Sequence, residues 1–197
     1  MGRPKEPWRR ERILDAAMVA LAETGPSALR VTDVAQAAGV SAGTVHYHFS
    51  DITGVFLGVV ERAFDQMVVQ REAMVAREPS IPRRLDLLIE YGILDSPNDE
   101  MALMYESIGL LRSTDEFRAT AASFLGRQLA LYRSVIDAGI ESGDFVPVGD
   151  PGVIASNLLA LEDAYDMYIT MGILADGPTA RANMRAYASS ALGTTLR

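Results

Sequence analysis

Twenty residues, VTDVAQAAGVSAGTVHYHFS at positions 31–50, constrain this chain more than any other stretch. Counting Val31 as position 1, a small or apolar residue stands wherever two short helices joined by a tight turn must interlock. Ala35, at position 5, lets the helices cross closely, and Gly39, at position 9, suits a turn that needs φ > 0. Val34, Ala38, Val40 and Val45 take the inward positions 4, 8, 10 and 15, and Ser41 stands where a hydroxyl caps the second helix. Only His48, at position 18, is not an ordinary aliphatic. A hairpin that merely packs would use the same inward residues, so the outward face decides. That face is Ala42, Gly43, Thr44, His46 and Tyr47. Its small first residues allow close approach to a phosphate or a base edge. Thr44 can donate to phosphate or touch a thymine methyl, and Tyr47 reaches a phosphate oxygen. The segment reads as a helix-turn-helix.

His46 and His48 are two residues apart, on nearly opposite sides of a helix, and cannot hold one metal ion. A buried, hydrogen-bonded role is favoured for His48 and a DNA-facing one for His46. The chain has no cysteine and only these two histidines, which excludes disulfides, thiolate metal sites and cysteine nucleophiles and leaves little for a zinc site or a Ser-His-Asp triad. No HExxH, P-loop or GxSxG pattern occurs. No enzyme activity, cofactor or metal is expected.

Elsewhere apolar residues recur at helical spacing, and no stretch sustains the alternation of a sheet. The spacing and the Gly, Pro and capping residues predict an all-α chain of nine helices. They fall at about 8–24, 31–38, 42–48, 52–77, 81–95, 99–112, 115–142, 152–174 and 178–195. On the first, Ile13, Leu14, Ala17 and Leu21 share a face. The longest apolar stretch, Val153 to Leu174, could span a bilayer by length, but Glu162, Asp163 and Asp166 lie within it and would be costly at bilayer depth. It is expected to be a buried helix. With no apolar secretory run in MGRPKEPWRR and Glu6 where a myristoylation signal wants Ser or Thr, a cytoplasmic protein without membrane contact is expected.

The net charge of −8 is unevenly spread: residues 1–50 sum to +1 and the rest to −9. Such acidity argues against a non-specific nucleic-acid coat, yet suits a locally basic reading head on an acidic body. Arg3-Pro4-Lys5 with Arg9, Arg10 and Arg12 reads equally as a minor-groove arm or as a solvated tail.

Residues from about Arg12 to Leu57 resemble the DNA-binding domain of the TetR family of bacterial repressors. The match runs through ILDAAMVALAETG and VTDVAQAAGVSAGTVHYHF, covers about a quarter of the chain and is joined by the phrase AGIESGDF before the helix at 152–174. The resemblance implies a DNA-binding head at 1–54, a linking helix at 55–77 acting as a lever, and an effector-binding and dimerisation domain at 78–197. It also implies a recognition helix of Ala42–His48 in the major groove. DNA-facing residues would be Arg30, Thr32, Ser41, Ala42, Gly43, Thr44, His46 and Tyr47. Two departures stand out. Leu29-Arg30 replaces the family's usual Thr before the second helix, and Ile52 replaces the usual Lys after the HF pair, so a smaller salt dependence is expected.

In the C-terminal two-thirds the resemblance implies a dimer bundle of the helices at 152–174 and 178–195, with Ala182, Ala186, Ser189, Ser190 and Gly193 allowing close approach. Pocket candidates are Met101, Met104, Tyr105, Phe124, Tyr132, Glu162, Tyr165 and Asp166. Taken singly, each of the Met and aromatic residues is more often core than ligand contact. Glu162 and Asp166, one turn apart on an apolar helix, are expected to form a salt bridge or hydrogen bonds to a neighbour, with Arg112, Arg127 and Arg133 as candidates, rather than to recognise a cationic ligand. The expected protein is a homodimeric regulator released from a pseudo-palindromic operator by a small-molecule effector. An activator, a ligand-insensitive DNA-binding dimer, and an enzyme using the pocket carboxylates are the alternatives.

Overall fold

The computed structural model describes residues 7–25, 28–96, 105, 108–109, 112, 114–173 and 176–196. Eight helices lie among them: α1 (Pro7–Thr24), α2 (Val31–Ala38), α3 (Ala42–His48), α4 (Ile52–Arg77), α5 (Ile81–Gly92), α6 (Asp115–Ser142), α7 (Pro151–Thr170) and α8 (Gly177–Leu192). The fold is all-α, as the periodicity predicts. The helix expected at 99–112 lies mostly outside the described residues, although Tyr105, Ile108 and Gly109 are helical. The chain forms two compact units, residues 1–64 with 99–121 and residues 65–98 with 122–197.

In the first unit, α1 turns the expected face, Ile13, Leu14, Ala17 and Leu21, into the core and packs on α2. Val55, Phe56, Val59 and Val60 from the first half of α4 join it. Gly58 sits where a Cβ would lie 2.9 Å from the Phe49 ring, so only glycine allows this approach. Charges tie α1 to α4 around that core: Arg62 Nη1 is 2.7 Å from Asp15, and Arg10 is 3.6 Å from Glu61.

The core of the second unit draws Leu85, Leu88 and Ile89 from α5, Val135 and Ile136 from α6, Ile154 and Leu158 from α7, and Ala180, Met184, Ala188 and Leu192 from α8. Three helices end earlier than the spacing predicts, two of them where backbone groups find distant partners. α5 stops at Gly92 rather than Asp95: the Ile93 carbonyl accepts from Arg181 Nη1 (3.0 Å) and the Leu94 N–H donates to Asp166 Oδ1 (2.9 Å). α7 stops at Thr170, two residues before Gly172 at φ +64°. α8 ends with Gly193 at φ +59°, and the carbonyls of Leu192 and Ala191 accept from the N–H groups of Val146 and Val148, both at 2.8 Å. Among the described residues no helix is long and apolar enough to cross a membrane.

Candidate nucleic-acid interface

α2 and α3 form the crossed pair read from the sequence. The Arg30 N–H donates to Asp33 Oδ2 at 2.9 Å, closing the first turn of α2. Gly39 stands at φ +63°, and the Val40 N–H returns to the Ala35 carbonyl at 2.9 Å, so the chain reverses without exposing the last carbonyls of α2. Ser41 Oγ then accepts from the Thr44 N–H at 3.1 Å, fixing where α3 begins. Val34, Ala35, Ala38 and Val45 are buried, whereas Val40 is half-buried. Downstream, Asp51 Oδ1 accepts from the Gly54 N–H (2.9 Å), which starts α4 immediately after α3.

This packing leaves Arg30, Thr32, Ser41, Gly43, His46 and Tyr47 exposed, with Ala42 and Thr44 half-buried beside them. The Tyr47 ring stands edge-on to His48, centroids 5.2 Å apart, and keeps half of its surface in solvent (50% exposed). His48 is half-buried rather than fully enclosed. His46 Nδ1 lies 3.1 Å from the Ser50 carbonyl oxygen. A carbonyl only accepts, so Nδ1 carries the proton, and in the neutral ring Nε2 is left as an acceptor. Sequence reasoning had no means of assigning this tautomer.

Arg10 and Arg12 of α1 make contacts within this unit. The Arg10 guanidinium lies 5.3 Å from the Phe49 ring centroid besides its ion pair with Glu61. Arg12 Nη2 sits 3.1 Å from where a Cβ on Gly39 would be, against the turn itself. Arg3, Pro4 and Lys5 lie outside the described residues.

Residues 13–59 match the family model for bacterial regulatory proteins of the tetR family. Those residues are a tetR-family DNA-binding domain, and the chain is a DNA-binding transcriptional regulator. Its relatives include the HTH-type transcriptional repressor KstR2 of Rhodococcus jostii (strain RHA1), 26% identical over 140 residues that cover 70% of this chain and 68% of that one. The same fold occurs in a TetR transcription regulator from Haloarcula marismortui (TM-score 0.84, 21% identity, 95% of this chain and 100% of that one). It occurs also in a protein from Saccharomonospora viridis, described as a transcriptional regulator and solved in complex with choline (TM-score 0.80, 22% identity, 95% and 98% covered).

The expected pocket residues of the second unit fall on α6 and α7. Met101 and Met104 lie outside the described residues, Tyr105 falls in the stretch assigned to the first unit, and Phe124 is half-buried on α6. Tyr165 accepts from Asn183 Nδ2 at 3.1 Å, and Asp166 accepts from the Leu94 N–H. Tyr132 and Glu162 do meet, at a buried charge the sequence reading missed. Glu162 receives both ends of the Arg71 guanidinium, with Nη2 2.8 Å from Oε2, and the Tyr132 hydroxyl donates to the same carboxylate. This corrects the expected partner: Arg127 pairs with Asp65, Arg133 with Asp137, and Arg112 is exposed. The available signal was Arg71 itself, three residues after Val68 and four before Val75 on the buried stripe of α4.

Burial works against the charge on Arg71, but the Glu162 carboxylate outweighs it and holds the guanidinium protonated. Burial and then Glu162 push the Tyr132 hydroxyl well above its ordinary value, so it remains a donor. Burial raises Asp163 to about 6 and Asp166 to about 7, with Glu162 adding to both. Two open grooves on this unit, of about 470 and 520 Å³, are lined by other residues, among them Tyr91, Leu94 and Arg181 in the first and Val69, Met74 and Arg77 in the second. Among the described residues no group of three or more acidic or histidine side chains could hold a metal ion.

Proposed function

We propose that this TetR-family chain acts in the cytoplasm as a homodimeric repressor, released from a pseudo-palindromic operator by a small-molecule effector. Each subunit inserts α3 into one of two successive major grooves. Thr44, His46 and Tyr47 are the principal contacts, Arg30 and Thr32 lie at the backbone, and Ser41, Ala42 and Gly43 form the close-approach end. The observation that carries the reading is the exposed face of α3, held by the Ser41 cap and the Gly39 turn while Val34, Val45 and Phe49 are packed beneath it.

The head corresponds to residues 1–54, α4 from residue 55 onward links it, and residues 78–197 bind the effector and dimerise. Within that part, Met101, Met104, Tyr105, Phe124, Tyr132, Glu162, Tyr165 and Asp166 are the residues proposed to line the effector pocket. Support for a repressor with a small ligand comes from the relatives: KstR2 is named a repressor, and the S. viridis protein was solved with choline. A differential affinity of roughly 1–3 kcal/mol for the two states of the dimer is enough to change operator affinity 5- to 150-fold.

The test is fluorescence anisotropy of the purified protein on DNA from its own upstream region and on random DNA, at several salt concentrations. A clear preference for the upstream fragment, at nanomolar affinity, supports the reading. Equal, weak binding to both fragments speaks against operator recognition at that locus.

A further inference from the structure

Four helices converge on one ion pair in the second unit. Arg71 comes from α4 and Glu162 from α7. Tyr132 of α6 donates to the carboxylate, its ring centroid 5.5 Å from the guanidinium carbon, and the Leu88 carbonyl of α5 lies 3.4 Å from Arg71 Nη2. α5 accommodates the pair through its last residue, Gly92, where a Cβ would lie 2.7 Å from the Glu162 carboxyl carbon and 3.1 Å from Arg71 Nη2. Arg71 and Glu162 are 6% and 5% exposed, and Tyr132 is 1% exposed.

This is a poor device for stability. Desolvating two charges offsets most of their attraction, and an apolar replacement of both is often neutral or better. Among the described residues the network is also incomplete: Arg71 Nε and, one helical turn before Tyr132, the fully buried Gln128 Oε1 find no hydrogen-bond partner there. A half-satisfied buried network is worse for stability than an apolar core. What the pair does supply is register. A guanidinium gripping both carboxylate oxygens, wedged against Gly92, fixes α4 along and around its own axis. From Arg71 the same helix runs back without a break to Val60, Val59, Phe56 and Val55, core residues of the first unit.

We propose that Arg71 and Glu162 are positioning residues for operator binding: their pair sets the register of α4, and through it the DNA-binding competence of the head. The inference rests on the operator reading above. It also gives an effector a defined target, since any ligand group that competes for either partner unlocks α4.

The test uses the full chain with Arg71→Met, with the double replacement Arg71→Met/Glu162→Leu, and with Arg71→Lys, each measured for thermal stability and for operator affinity. The single Arg71→Met leaves an unpaired buried carboxylate and lowers both. The double replacement is expected to restore Tm to near wild type, yet to bind the upstream fragment at least tenfold more weakly, with random DNA unchanged. Arg71→Lys, which keeps the charge and loses the fork, falls between. Amide exchange across residues 52–64 reads the same effect without DNA and is expected to change in the double replacement. Wild-type affinity and wild-type exchange in the double replacement, or a Tm as low as that of the single one, overturn the inference. If the wild type shows no preference for the upstream fragment while exchange across 52–64 still responds, the operator reading fails and the positioning role stands.

Discussion

Gly92 and Glu162 exclude one another's larger forms: a methyl group on Gly92 would lie 2.7 Å from the Glu162 carboxyl carbon, well inside contact distance. The glycine is the last residue of α5, and its helical backbone places no demand for a positive φ. Its requirement is purely one of space. The buried carboxylate and the helix end are therefore one packing unit.

Gly92→Ala is expected to destabilise the chain by about 1–3 kcal/mol, the usual cost of overpacking. Chemical denaturation measures it. A smaller cost of Gly92→Ala when it is made in a Glu162→Ser background than in the wild type would trace the cost to this contact, and an equal cost would place it elsewhere.

At the DNA face the two ring-bearing residues of α3 are expected to behave differently. Tyr47→Ala removes a phosphate contact and weakens binding to operator and random DNA alike. His46, with Nδ1 committed to the Ser50 carbonyl, presents Nε2 as an acceptor, which suits the amino group of adenine or cytosine. His46→Ala is then expected to cost about 1 kcal/mol on operator and to relax preference at one base pair per half-site. Anisotropy on a panel of single-base operator variants checks this, and equal losses on operator and random DNA for both substitutions contradict the division.

Ile52 opens α4 next to the capping Asp51, where the family resemblance leads one to expect a lysine. Ile52→Lys is expected to add a phosphate contact and steepen the plot of log affinity against log salt by about 0.9 per head. Titrations at four or more salt concentrations give the slope; an unchanged slope means the position lies off the DNA backbone.

Asp166 is raised to about 7, first by burial and then by Glu162 and Asp163, against the opposing pull of the Leu94 N–H and Arg71. A carboxylic acid with a folded-state pKa above its unfolded value binds its proton more tightly when folded. The contribution of this group to stability is therefore greatest below about pH 4, falls as pH rises toward about 7, and stays lowered above it. Asp163, raised to about 6, acts in the same direction. Asp166→Asn keeps an oxygen for the Leu94 N–H and removes the charge. It is expected to raise Tm by about 2–4 °C near pH 8, equivalent to about 1 kcal/mol, and to change little near pH 4. Thermal melts at the two pH values decide, and an equal shift at both would rule out titration as the cause.

Much of the head was legible because its constraints are local. The Gly39 turn, the Ser41 cap and the buried stripe of α1 all follow from residues within a few positions of one another. Helix ends were less legible where distant groups intervene. Nothing near Ile93 announces that Arg181 will take its carbonyl, and nothing near Leu192 announces Val146. The Arg71–Glu162 pair shows the same limit. Each residue alone is a charge on an apolar stripe, and only the packing of α4 against α7 selects this arginine over Arg112, Arg127 and Arg133.

α8 is the last element of the second unit in chain order, yet Ala180, Met184, Ala188 and Leu192 lie at its centre with no exposed surface. The order of synthesis then matters. While residues 177–192 are still being made, the apolar faces of α5 and α7 stay uncovered, whereas α1, α2 and α3 can close on residues already complete. Domains fold largely as units behind the growing chain, and open cores are what chaperones and proteases recognise. A chain that stops upstream of residue 177 is therefore expected to carry an uncovered second core, open to chaperones and proteases, whatever the state of its first unit.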